Sequence, residues 1–306
     1  MKIKGSSESS FLGFQGRLFL AATLLLLYAM LNTALAEEPR KVDSAIRDLP
    51  KPVATTIYVS DYPDDLVEVF PLSGGTGTPF ATIDAPTGLA FDMVGNLYVS
   101  SLKPSGMISK VTPSGEVSRF SDDSDLGHPH GLAFDAAGSL FVVTAGGHTV
   151  VKFKPNGAAH KIFASGLSKP FSVIFDSLGN LFVSDGFGGP SGTGSVLKYR
   201  PNGRMTVFAD TGFSTPYGLA FDSHWNLYVS NQSANTIERF AYDGSGRTTF
   251  VGDNGILSSP LGMVIDSFDN LYVANRDTDT IEEFSPTGAH VTTFHTGANP
   301  HFLALK

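Results

Sequence analysis

The chain contains no cysteine. Disulfides and thiolate metal sites are therefore excluded. Charge is scarce as well: 16% of the 306 residues are Asp, Glu, Lys or Arg, and the formal net charge is −8. That balance argues against a general nucleic-acid binder, which needs a basic face, and it disfavours electrostatic docking on anionic lipid. The apolar run Leu18–Leu31 has 14 residues, short of the roughly 20 that a membrane-spanning helix needs. No Gly-x-Ser-x-Gly elbow and no phosphate-cradling glycine loop stands out from the turn glycines. What the chain does have is 33 glycines and 18 prolines, the material of many tight turns in one large all-β domain.

The N-terminus is a separate object. Lys2, Lys4 and Arg17 precede the apolar run, and Ala34-Leu35-Ala36 follows it as an A-x-A cleavage signature before Glu37. Residues 1–36 read as a secretory signal peptide, with an uncleaved signal anchor as the alternative. A secreted or periplasmic protein is expected, without a membrane span after cleavage. Removing the segment takes away three basic residues and one acidic residue (Glu8), which leaves a formal charge of −10. Residues 37–54, polar with Pro39, Pro50 and Pro52, read as a linker.

The rest repeats. Pro86-Thr-Gly-Leu-Ala-Phe-Asp recurs from Pro129, Pro170, Pro216 and Pro260 at spacings of 43, 41, 46 and 44 residues, each copy followed by a variant of Gly95-Asn-Leu-Tyr-Val-Ser100. This period, filled by strand-length apolar runs and Pro-x-Gly turns, predicts four-stranded antiparallel blades in a β-propeller. Strands a to d run from the axis outward. A sixth blade is split between the ends: 56–61, 66–70 and 80–83 match strands b, c and d, and Pro300-His-Phe-Leu-Ala-Leu305 supplies strand a. The fold class is thus all-β, a six-bladed β-propeller over residues 55–306, closed by the C-terminal strand.

Repeated polar residues read as scaffold. Asp92, Asp135, Asp176, Asp222 and Asp266 all end strand a, where a carboxylate can accept turn N–H groups. Tyr98, Phe141, Phe182, Tyr228 and Tyr272 are expected to pack between blades. Unrepeated residues carry the functional signal. The d–a and b–c loops share one face, so the residue after each repeat proline sits near the mouth of the axial channel. Around the ring these are His301, Thr87, His130, Phe171, Tyr217 and Leu261. His301, His130 and Tyr217 fall on alternate blades, about 120° apart, and could converge on zinc or another divalent metal. On the same face, Asp61, Asp185, Phe187, Asn231, Asn275 and Arg276, with Phe171, are candidate ligand-binding residues. The expected partner is a protein, peptide or small molecule bound on that face by a monomer.

The Pro-x-Gly-Leu-Ala-Phe-Asp and Gly-Asn-Leu-Tyr-Val-Ser segments resemble the NHL repeat across roughly residues 55–306. Pro129-His-Gly-Leu-Ala-Phe-Asp and Gly147-His-Thr-Val-Val-Lys-Phe153 further resemble the peptidylglycine amidating lyases, six-bladed propellers of this type. That resemblance implies zinc held by histidines, with His130 and His301 as ligands and Tyr217 standing where a third histidine is expected. Phe187 stands where those lyases carry a tyrosine, and residues 56–83 contain no arginine for the substrate side. Gluconolactonase-like and streptogramin lyase-like propellers are similar in fold, the latter through Pro216-Tyr-Gly218. Two functions follow as expectations: an exported NHL-repeat propeller acting as a binding or scaffold module, or a metal-dependent lyase or hydrolase working at the channel mouth.

Overall fold

The computed structural model describes residues 54–102, 106–157, 160–189, 192–297 and 299–306. The expected signal segment, and the linker up to residue 53, lie outside them. Among the described residues no helix is long and apolar enough to cross a membrane.

Alternating apolar and polar residues between turn signals give strands of four to six residues, which pair into six separate four-stranded antiparallel sheets. In chain order, the first three strands are β1 (Thr56–Asp61), β2 (Leu66–Pro71) and β3 (Thr78–Thr82). Five complete blades follow. Their inner strands are β4 (Pro86–Phe91), β8 (Pro129–Phe134), β12 (Pro170–Phe175), β16 (Pro216–Phe221) and β20 (Pro260–Ile265). The last strand, β24 (Pro300–Leu305), is the inner strand of the first blade. It pairs antiparallel with β1, Ile57 opposite Leu305 and Val59 opposite Leu303. Neighbouring inner strands touch in the cyclic order β24, β4, β8, β12, β16, β20, so the ring is closed and each blade's short inner edge is covered by its neighbours.

The core lies between blades. Tyr98, Phe141 and Phe182 each meet an aromatic residue of the next inner strand (Phe134, Phe175, Phe221) edge to face, at centroid distances of 4.9, 4.9 and 5.1 Å. Close approach at the axis explains the repeat glycine. A Cβ on Gly88 would collide with the carbonyl oxygen of His130, and one on Gly218 with that of Leu261.

The repeated serine of Leu-Tyr-Val-Ser stitches one blade to the next. Each inner strand bulges just after its proline, which frees an amide. Gly88 N–H donates to Ser100 Oγ at 2.7 Å, and that hydroxyl donates to the His130 carbonyl at 2.5 Å. Ser184 joins Ser172 N–H to the Tyr217 carbonyl in the same way, and Ser230 joins Gly218 N–H to the Leu261 carbonyl. The backbone at His130 and Tyr217 is thereby fixed by the preceding blade.

Candidate functional site

Where the inner strands begin, on the face of the d–a and b–c loops, a cavity of about 330 Å³ opens on the axis. His130, Phe171, Tyr217 and His301, each following a repeat proline, line it; His128 and Lys169 come from d–a loops, and Ala145, Gly146, Gln232 and Arg276 from b–c connections. The grouping of loops expected from the repeat is thus the one observed. Two of the six positions after the prolines are closed to ligand. Thr87 is buried, with its hydroxyl 2.9 Å from the Pro129 carbonyl, and Leu261 is fully buried.

An aromatic cluster forms the wall of this cavity. Phe171 and Tyr217 stack at 4.3 Å with an interplanar angle of 18°, and His130 stands edge-on to both. His301 stacks on Tyr62 at 5.1 Å. Burial, reinforced by electrostatic repulsion from the neighbouring His301, Lys169 and His128 side chains, pulls the His130 pKa down to about 3. Burial and the Arg276 guanidinium pull His301 down to about 4. Both imidazoles are therefore neutral at pH 7. Burial pushes the Tyr217 phenol well above its ordinary value, so it keeps its proton. Its hydroxyl lies 3.2 Å from His130 Nδ1. The two groups are within hydrogen-bond distance, and the His130 tautomer decides which of them donates.

These contacts bear on the zinc that the lyase resemblance implies. A catalytic zinc site takes three protein donors. Here the cavity offers two histidines and a phenol that is already 3.2 Å from one of them, and no carboxylate joins the two histidines at metal-ligand spacing among the described residues. Of the three residues, His301 has a buried ring nitrogen, Nδ1, with no hydrogen-bond partner among the described residues. The ring brings His130, His301 and Tyr217 to one cavity, but as they stand they do not fit a three-donor zinc site.

The remaining candidates divide. Arg276 lines the cavity; Phe187 is 46% exposed on the same face, its ring 5.6 Å from Lys169 Nζ. Asp185, Asn231 and Asn275 require correction as ligand-facing groups. All three are buried and spend their side chains on the backbone of the loop before the inner strand. Asp185 accepts from Ser168 and Lys169 N–H, Asn231 from Ser214 N–H and Asn275 from Ser258 N–H. Asp61, also buried, occupies the equivalent place opposite Pro300. The cause is register: each lies directly across from its blade's proline, as Asp185 does from Pro170.

One cluster goes unremarked in the sequence. Asp123 and Asp125, in the loop before β8, meet His160 on β11 (His160–Ser165): Nδ1 lies 3.0 Å from Asp123 and Nε2 2.8 Å from Asp125. The three have the donor types and spacing to hold a metal ion, although both ring nitrogens already face carboxylates. Asp-x-Asp in the short loop of residues 122–128 is the only local signal; the 35 residues to His160 are bridged by the fold.

A protein-family model described as the SMP-30/Gluconolactonase/LRE-like region matches residues 173–305, which include Tyr217, Arg276 and His301 but not His130. No curated protein matches the chain. Among solved structures it is similar to a chain of a nidogen/laminin complex, with 20% identity over 82% of this chain and 97% of the other and a TM-score of 0.73. It is also similar to a gluconolactonase from Xanthomonas campestris, with 19% identity over 84% and 95% and a TM-score of 0.62. A third likeness is to the calcium-binding protein regucalcin from Agrobacterium tumefaciens, with 16% identity over 71% and 76% and a TM-score of 0.60. At these identities the likeness is one of fold.

Proposed function

We propose that this chain is an exported propeller that binds a small molecule in the cavity at the mouth of its axial channel. The observation that carries the reading is the cavity itself: about 330 Å³, walled by stacked rings and set with two neutral imidazoles. Its volume falls at the small end of ligand pockets and suits a small molecule better than a folded partner. Thermal unfolding measured with glucono-δ-lactone, glucose, benzoate and benzamide tests it. A ligand of this site raises the melting temperature of the wild type and not of Gln232→Trp, which fills the rim, whereas Leu178→Trp on the opposite face keeps the response. No response to any probe, or one that survives Gln232→Trp, overturns the reading.

A hydrolase or lyase acting in the same cavity is the second reading. The family match favours it, because the matched region spans Tyr217, Arg276 and His301, and one fold neighbour is a gluconolactonase. Acid release from glucono-δ-lactone, followed in a pH-stat with and without added calcium or zinc, decides it. Hydrolysis no faster than in buffer under either condition ends this reading.

A further inference from the structure

The charge of the ligand is written in the lining. The protein is acidic, with a formal net charge of −8, yet every charged side chain lining the cavity is basic, and no aspartate or glutamate lines it. Lys169 stands at the rim with its Nζ 5.6 Å from the Phe171 ring centroid, and it makes no ion pair among the described residues. Arg276 comes from the b–c turn of the sixth blade. Its Nε pairs with Asp277 at 2.8 Å and its Nη2 donates to Ser259 at 2.9 Å, which leaves Nη1 without a partner among the described residues. Two fixed cations on separate loops, each with donors to spare, suit one anionic group between them.

We infer that the cavity takes a small organic anion, a carboxylate whose oxygens face Arg276 and Lys169 and whose body lies against the stacked Phe171 and Tyr217. This rests on the small-molecule reading above. With His130 and His301 uncharged, each adds a neutral polar ring to the lining, and Arg276 and Lys169 are its fixed cations. Benzoate and benzamide share a shape and differ in charge, so they separate the ligand's charge from its fit.

Calorimetric titration of both probes into the full-length protein at pH 7 supplies the test. Benzoate is expected to bind about tenfold more tightly than benzamide, the size of one charge-assisted hydrogen bond. Arg276→Gln and Lys169→Gln should each weaken benzoate roughly threefold to tenfold and leave benzamide within about twofold. Both side chains are partly or fully exposed, and an unchanged melting temperature confirms that the variants fold. If benzamide binds as tightly as benzoate, or if the neutral lactone or glucose binds and no carboxylate does, the anion inference falls while the small-molecule reading stands. If none of the probes binds, both fall.

Discussion

The two faces of the ring are built from the same repeat and use it differently. On the a–b turn face, five aspartates do one job. Asp92 Oδ1 accepts from Val94 and Asn96 N–H, and Asp135, Asp176, Asp222 and Asp266 accept from the amides two and four residues on. On the opposite face, equivalent positions carry histidine, phenylalanine, tyrosine, leucine and threonine, and only some of them reach the cavity. Where all blades agree, the side chain satisfies backbone; where they differ, it is free to meet something else. Asp185, Asn231 and Asn275 refine that rule. They differ in type from other blades and look variable, yet they share a register opposite the proline and hold the same loop. Equivalence is a matter of position in the ladder, and identity is only a proxy for it.

The contrast can be broken most severely by opening the ring. Deleting residues 300–306 removes β24, exposes the edge of β1 and takes His301 with it; loss of cooperative thermal unfolding is expected, and a truncated protein that melts like the full chain would refute closure.

Acid should act through the cavity face. Folding holds His130 at about 3, below its ordinary 6.5. Between those values the unfolded chain binds more protons, so the stability linked to this residue is complete above about pH 6.5 and is lost as pH falls toward 3. Chemical denaturation across pH 7 to 4 should show a slope that drops in His130→Phe by about one proton, ~1.4 kcal/mol per pH unit. An identical slope in the variant would place the acid sensitivity elsewhere.

A substitution on the turn face should cost stability and spare binding. Asp222→Ala strips the acceptor from His224 and Asn226 N–H and from the Asn226 side-chain amide; a loss of roughly 2–3 kcal/mol in denaturant is expected, with ligand response intact. The smallest effect belongs to a stitch between blades. Ser230→Ala leaves Gly218 N–H and the Leu261 carbonyl without their partner and should cost about 1–2 kcal/mol by the same measurement. A binding change as large as that in Arg276→Gln, in either variant, would blur the division between the faces.

The architecture was legible because it repeats. Six inner strands that each open on proline, four of them as Pro-x-Gly, and five copies of Leu-Tyr/Phe-Val locate the strands, and the incomplete first copy announces its missing strand at Pro300. The cavity was legible in part, since the residue after each proline identifies His130, Phe171, Tyr217 and His301. Two things were hidden. A hydrogen bond such as that between Tyr217 and His130 depends on rotamers, so two of three plausible metal donors can face one hollow and still satisfy each other. Contacts between blades are the other: Lys169, His128 and Gln232 enter the cavity, and His160 reaches Asp123 and Asp125, only because neighbouring blades lie side by side.

The strand that closes the ring has a consequence for the order in which the protein comes into being. β24 follows every other strand in the chain, while its partner β1 precedes them all. During synthesis β1 must wait, one side unpaired, until the rest of the domain has been made, and a polypeptide cut short before Pro300 keeps that sticky edge. His301 arrives on the same strand. An incomplete chain can therefore build the Phe171–Tyr217 wall but never the whole pocket, so the step that seals the fold is also the step that finishes the binding site.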